Sequence, residues 1–144
     1  MNSRLEAEQH CRDLMVRYCL SLDAGNPDAC AELFAKDGGL EILGARLSGR
    51  EAISRYFKER PPARSVHLAT NLHAVADLQS GTAQGGCNFV LYRQEGVASD
   101  HTAPVPMPLP LTVGMYYDRF IFGESGWRIA YRRLHVIFSS RTGA

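Results

Sequence analysis

The sequence lacks a charge excess of either sign and a long apolar run. Its 16 Lys and Arg residues balance 15 Asp and Glu residues to a net charge of +1, so the chain has no general electrostatic attraction for nucleic acid or for an anionic membrane surface. The N-terminal segment MNSRLEAEQHCRDLMVRYCL carries charges throughout, unlike a signal peptide or a membrane span. These absences predict a cytoplasmic protein that binds neither nucleic acid nor membranes.

A cysteine framework is also missing. Cys11, Cys19, Cys30 and Cys87 have no C-x-x-C spacing, which favours small buried side chains over disulfides or a zinc site. The histidines have no ligand spacing relative to cysteines or carboxylates. We therefore expect no metal and no cofactor.

The chain begins with a predicted amphipathic helix. Its 144 residues suit one domain, 1–144. Apolar residues recur at helical spacing over residues 4–23 and indicate one buried face. They are Ala7, Cys11, Leu14, Met15, Tyr18 and Leu22.

Two shorter helices are predicted next. Asn26 and Pro27 are typical of a helix start, and we expect this second helix to end at Gly38 and Gly39. A hairpin turning at Gly44 then leads to a third helix, GREAISRYFKER, closed by two prolines.

The second half of the chain predicts strands. Four segments alternate or are rich in strand formers, at residues 65–77, 83–93, 111–122 and 126–138. The predicted fold class is α+β, with N-terminal helices packed in a curved, mostly antiparallel sheet that forms a cone-shaped barrel. Side chains fill the interior of such a cone, or a ligand enters it.

A proline-rich segment, SDHTAPVPMPLP, separates the second and third of these strands. Its four prolines forbid regular strand pairing. We predict that Pro104 to Leu111 borders the mouth of a pocket or packs on a neighbouring subunit.

The strand segment SVHLATNLHAV carries two histidines, His67 and His73. They are six residues apart, so regular alternation puts both on one face. An inward-facing imidazole needs a hydrogen-bond partner. Asp23 is the candidate, because it ends the first helix, where the helix dipole disfavours a carboxylate. The alternatives are that Asp23 is a surface turn residue and that His67 is a satisfied core histidine.

Four segments together resemble a known family. In order and spacing they are similar to SnoaL-like members of the NTF2-like (cystatin-like α+β barrel) superfamily. The segments are RYCLSLDAGNPDACAELFAKDG, LSGREAI, HLATNLHAV and GWRIAYRRL. The resemblance covers nearly the whole chain. It extends in particular to the branch that contains scytalone dehydratase, bile-acid 7α-dehydratase and lindane dehydrochlorinase.

The resemblance implies roles for four residues. In that branch an Asp at the end of the first helix pairs with a His on the first long strand, and these match Asp23 and His67. Tyr18, five residues before Asp23, resembles the Tyr of the bile-acid enzyme. Arg132, five residues after Trp127, matches an Arg on the last hairpin that assists the reaction in that branch. The second strand of scytalone dehydratase carries another His, which AQGGCNFVLYR lacks, so scytalone itself is not the expected substrate.

A His oriented by a carboxylate can abstract a proton from a carbon next to an activating group. We therefore predict a cofactor-independent enzyme, either a lyase that performs a dehydratase-type β-elimination or an isomerase, with a small hydrophobic cyclic or aromatic substrate. Two alternatives stay open: a polyketide-type cyclase, and a non-catalytic module for ligand binding or assembly.

Five further side chains are candidates for substrate binding. They are Asn71, His135, Phe34, Phe89 and Tyr116. Core packing is the alternative for the aromatic residues and for Tyr18, and a role at a strand bulge is the alternative for Asn71.

A homo-oligomer is expected because alternate strand positions make the outer sheet face apolar. These positions are Val90, Tyr92, Val113, Tyr117 and Ile121. The branch resemblance implies a trimer and other SnoaL-like proteins imply a dimer, with the trimer slightly preferred.

Overall fold

Three helices and six strands make up the part of the chain that the computed structural model describes, residues 3–107 and 109–141. Pro108, inside the predicted proline segment, lies outside these residues. The elements are α1 (Arg4–Asp23), α2 (Pro27–Glu32), β1 (Phe34–Ile42), β2 (Ala45–Ser48), α3 (Arg50–Lys58), β3 (Ala63–Asp77), β4 (Thr82–Glu95), β5 (Thr112–Gly123) and β6 (Gly126–Ser139).

Helix α1 begins at a capping box. The Ser3 hydroxyl accepts from the Glu6 backbone N–H at 3.3 Å, and Glu6 Oε2 accepts from the Ser3 N–H at 2.8 Å, so two otherwise unpaired donors are satisfied. Most of the predicted apolar stripe is buried, with Leu22 half-buried. Within the described residues, no helix has both the length and the apolar character needed to cross a membrane; the cytoplasmic location stays a prediction.

The predicted end of the second helix is wrong. Helix α2 stops at Glu32, and Gly38 and Gly39 lie within β1, which begins at Phe34. A Cβ atom at Gly38 would lie 2.9 Å from the backbone oxygens of both Ala35 and Ile129. The glycine therefore allows β1 to approach β6 closely. Glycine at this position reflects close backbone packing and not the end of a helix.

The strands form one curved, unclosed sheet in the order β2-β1-β6-β5-β4-β3. Strands β1 and β6 pair in parallel, and the other neighbours are antiparallel. Helix α1 packs against β3. The predicted α+β class with helices packed in a mostly antiparallel sheet is confirmed.

Helix α1 also covers the free edge of β3. Glu8 Oε1 accepts from the backbone N–H of Ala76 at 3.1 Å, and Asp23 Oδ2 accepts from the backbone N–H of His67 at 2.8 Å. Carboxylates near the two ends of the helix thus bind donors that an edge strand otherwise exposes.

A bulge in β3 reverses the direction of its side chains. The pairing with β4 slips by one residue between Thr70 and His73, and Asn71 in the bulge has a positive φ of 54°. His67 points to the inner face, whereas His73 is exposed beyond the bulge. The prediction that both histidines share one face is wrong, because the extra residue interrupts the two-residue alternation.

Candidate active site

The Asp23 carboxylate binds three donors from β3. Oδ1 lies 2.6 Å from His67 Nδ1 and 2.9 Å from the Ser65 hydroxyl, and Oδ2 lies 2.8 Å from the His67 backbone N. These contacts compensate a carboxylate at the end of a helix whose dipole disfavours it. Ser65 was not identified from the sequence, although its position two residues before His67 places it on the same strand face.

The contact with Asp23 fixes the orientation of the His67 ring. An ionised carboxylate only accepts hydrogen bonds, so Nδ1 carries the donated proton and Nε2 of the neutral ring keeps its lone pair. The His67 side chain is 7% exposed, and the Asp23 side chain is 19% exposed. The structure therefore presents a buried, carboxylate-bound imidazole whose Nε2 makes no hydrogen bond to the residues that the structure describes.

His67 lines a partly open cavity of about 70 Å³. Apolar and aromatic side chains form most of its wall. Its lining includes Tyr18, Leu22, Phe57, Phe89, Leu91 and Tyr116. Of the predicted substrate-binding residues, Phe89 and Tyr116 border this cavity, with stacked rings whose centroids are 4.5 Å apart.

Tyr18 on α1 lines the same cavity as His67. Its hydroxyl is buried and has no hydrogen-bond partner among the described residues. Burial, the largest cause, raises the pKa of Tyr18 well above its ordinary value, so the group stays protonated and can donate to a ligand. Asp23 does not line the cavity. It contacts the His67 ring, and that ring borders the cavity.

Arg132 lies behind the cavity wall and not in it. Its guanidinium binds both Asp118 oxygens, at 2.7 and 2.9 Å, and lies over the rings of Tyr18 and Tyr116, with its central carbon 4.3 and 3.9 Å from their centroids. Both charged side chains are completely buried. The family resemblance assigns Arg132 to the site, and the structure turns it inward but does not bring it to the cavity, because its guanidinium lies against the rings of Tyr18 and Tyr116, which line the cavity.

The sequence did not identify Asp118 as the partner of Arg132, because the strand pairing that joins them is irregular. Counted back from the Gly123–Gly126 turn, regular pairing sets Asp118 opposite Tyr131, but the pairing slips between Arg119 and Phe120 and puts it opposite Arg132. A pattern of alternating residues does not reveal such a slip.

The other predicted site residues do not reach the cavity. Asn71 lies in the β3 bulge, where its Nδ2 donates to Asn88 Oδ1 at 3.0 Å. His135 is exposed on the outer face near Tyr117. Phe34 is fully buried and packs edge-on against Tyr18.

The proline segment divides in two. Leu111 lines the cavity, and its backbone N–H donates to Leu91 O at 2.7 Å. Met107 and Leu109 are 86% and 79% exposed. The end of the segment therefore borders the pocket, whereas Met107 and Leu109 do not line it, and packing on a neighbouring subunit stays a prediction.

No three histidine, cysteine, aspartate or glutamate side chains of residues 3–107 and 109–141 are grouped so that they could hold a metal ion.

The SnoaL-like domain family matches residues 3–133. The chain belongs to this family, whose members include polyketide cyclases and dehydratases. Among curated proteins, none matches significantly.

Solved structures show the same fold. A variant of Rv3472, a protein of unknown function from Mycobacterium tuberculosis, is 30% identical with a TM-score of 0.71, over 89% of this chain and 76% of that chain. An NTF2-like protein with a cystatin-like fold from Novosphingobium aromaticivorans is 22% identical with a TM-score of 0.74, over 94% and 85%. A candidate scytalone dehydratase from the same organism is 16% identical with a TM-score of 0.72, also over 94% and 85%.

Proposed function

We propose that this protein is a cofactor-independent lyase of the dehydratase type, in which His67 removes a proton from a carbon of a small hydrophobic cyclic substrate. The observation that carries the proposal is the 2.6 Å contact between His67 Nδ1 and Asp23, beside a cavity that the ring borders. A purely ligand-binding module has no need of an oriented base.

The β-elimination proceeds from a β-hydroxyketone or a similar substrate. His67 Nε2 takes the proton next to the carbonyl, the C–H electron pair forms the new C=C bond, and the C–O bond to the hydroxyl breaks. The leaving oxygen takes a proton and departs as water. One positioned base supplies about 10²–10⁴-fold in rate, and Asp23 stabilises the imidazolium that forms.

Tyr18 is the proton donor in this proposal. Tyr18 and His67 border the same cavity, and the Tyr18 hydroxyl has no hydrogen-bond partner within residues 3–107 and 109–141. A departing hydroxide is a stronger base than a tyrosinate, so donation is favourable even though burial raises the pKa of Tyr18. The proton on His67 then returns to Tyr18, so atoms and charge balance over the cycle.

Arg132 acts through Tyr18 and not on the substrate. Its charge lies over the Tyr18 ring, where it stabilises negative charge that develops on the phenol oxygen. We therefore assign Asp23 and Arg132 as positioning residues, and His67 and Tyr18 as the groups that touch substrate.

The cavity has to enlarge when a substrate binds. Its volume of about 70 Å³ compares with about 300–1,000 Å³ for typical small-molecule pockets. Arg141 borders it from an exposed position, and Leu111 and Arg60 border it from half-buried positions, so their movement is the simplest way to admit a ring.

The proposal is tested with a panel of cyclic β-hydroxyketones. With 3-hydroxy-1-tetralone, loss of water forms 1-naphthol, which is followed by its absorbance. We expect turnover by the native protein, a decrease of about 10²-fold or more in His67→Ala, and native turnover in His73→Ala, whose side chain lies on the outer face.

Equal turnover by the two histidine variants would contradict this mechanism. A panel in which no member loses water or exchanges a carbon-bound proton would contradict both the lyase and the isomerase, and would favour the ligand-binding module. Ring closure of an open-chain polyketide without loss of water would instead indicate a cyclase, which uses the same base.

A further inference from the structure

A surface cleft of about 510 Å³ adjoins the cavity at His67. Four residues border both spaces. They are Leu22, Phe57, Arg60 and His67. A molecule whose ring occupies the enlarged cavity would therefore extend into the cleft past the His67 side chain.

Cations predominate where the two spaces meet. Arg60 borders both, Arg93 borders the cleft and Arg141 borders the cavity. The nearby carboxylate of Glu95 accepts from Arg141 Nη2 at 2.9 Å, while Arg93 Nε lies 3.8 Å away, too far for a hydrogen bond. Arg93 and Arg141 thus share one carboxylate, and Arg60 adds a third guanidinium group where the two spaces meet.

A lysine and an aspartate at the cleft neutralise each other. Lys58 Nζ lies 3.0 Å from Asp28 Oδ1, which also accepts from the Ser54 hydroxyl. This pair leaves the excess positive charge on the arginines.

Arg93 is the least satisfied of these cations. Its side chain is only 10% exposed. Nη2 donates to Pro61 O at 2.6 Å, but Nε is buried without a hydrogen-bond partner among the described residues. Burial and the neighbouring Arg60 lower the pKa of Arg93, so its surroundings disfavour the charge that a bound anion would stabilise.

The sheet register places Arg93 close to the proposed base. Arg93 pairs with Ser65 across the β3–β4 ladder, and Leu91 pairs with His67. Arg93 is therefore the diagonal neighbour of His67 on the inner face, at about 7–8 Å between backbones. That separation suits a substrate whose anionic group and reacting carbon belong to one small ring system.

We propose that this cleft binds the carboxylate of a cyclic acid, with Arg93 and Arg60 as the residues that recognise it. The inference rests on the proposed function, because it assigns the substrate class of the same site. Guanidinium groups suit carboxylates in charge and in planar hydrogen-bond geometry.

The test compares two ligands of nearly equal shape, 2-naphthoate and 2-naphthamide, by calorimetric titration at constant ionic strength. We expect 2-naphthoate to bind about tenfold more tightly, and Arg93→Gln to reduce this preference to about twofold or less. Arg60→Gln should also reduce it, which keeps the test valid if Arg93→Gln fails to fold. The control is Arg119→Gln, since Arg119 lies on the outer face over Tyr131, and it should keep the native preference.

The inference would be overturned by equal affinity for the two ligands or by no saturable binding of 2-naphthoate. An unchanged preference in both Arg93→Gln and Arg60→Gln would also overturn it. Failure of the proposed function looks different. In His67→Ala the preference for 2-naphthoate should persist although turnover is lost. A preference for 2-naphthoate without any His67-dependent turnover would contradict the proposed lyase and support the anion site.

Discussion

Asp23 holds His67 through both of its carboxylate oxygens, one on the ring at Nδ1 and the other on the backbone N–H. The same side chain thus fixes the tautomer of the proposed base and caps the edge of β3. Its catalytic and structural contributions are separable by experiment.

Asp23→Asn should lower kcat by about 10²–10⁴-fold, because the amide no longer stabilises the imidazolium and can favour the wrong tautomer. It should also destabilise the fold by about 1–3 kcal/mol, since one of the donors loses its acceptor. Turnover and urea unfolding measure the two effects.

Glu8→Gln is the matched control for this variant, because Glu8 caps the same strand edge at Ala76 far from the cavity. It should decrease the urea midpoint and leave turnover unchanged. A comparable loss of turnover in Glu8→Gln would mean that Asp23 matters only as an edge cap.

Tyr18→Phe should lower turnover without lowering stability. The variant removes a buried hydroxyl that has no hydrogen-bond partner in the described part of the chain, and such a group costs about 1–3 kcal/mol in the folded state. Thermal unfolding should show an unchanged or higher Tm, with a smaller loss of turnover than in His67→Ala. A clearly lower Tm would show that the hydroxyl serves the fold and not a ligand.

Arg132→Met should destabilise the protein by about 3–5 kcal/mol, because it leaves the buried Asp118 carboxylate without its partner. The double variant Arg132→Met with Asp118→Leu should recover part of that loss. Urea unfolding of the four proteins in this cycle gives the coupling energy. Additive effects would contradict a coupled buried pair.

The outer face of the sheet should support a homo-oligomer. Leu68, Val90, Val113 and Phe138 pair in one row across four strands, and Leu68 and Phe138 are 49% and 69% exposed. Sedimentation should give a trimer or a dimer for the native protein. Leu68→Glu should dissociate it, and Leu5→Glu, on exposed α1 surface, should not. A native monomer at micromolar concentration would refute this assembly.

The elements around the site were predictable because their patterns are local. The apolar stripe of α1 and the alternation of the four long strands follow directly from the residues. Asp23 and His67 were singled out by a helix-dipole argument and a family resemblance, and the structure brings these two side chains together; their catalytic roles stay predictions.

The errors at His73 and His135 arise where one extra residue changes strand direction. Trp127 is buried, so regular alternation along β6 would turn His135 inward and Arg132 outward. The pairing slip near Arg119 reverses this and buries Arg132. A bulge depends on the partner strand as well as on local sequence, so the slip near Arg119 was not predicted, and at Asn71 a strand bulge was one of two open alternatives.

Proton exchange at carbon tests the central claim most directly. 1-Tetralone has the bicyclic ring and the ketone of the proposed probe but no leaving group, so incorporation of deuterium at C2 in D₂O isolates the step assigned to His67. Mass spectrometry should show exchange faster than buffer with the native protein and with His73→Ala, and the buffer rate with His67→Ala. Exchange at the native rate in His67→Ala, or no exchange above buffer in the native protein, would contradict the assignment of His67 as the base.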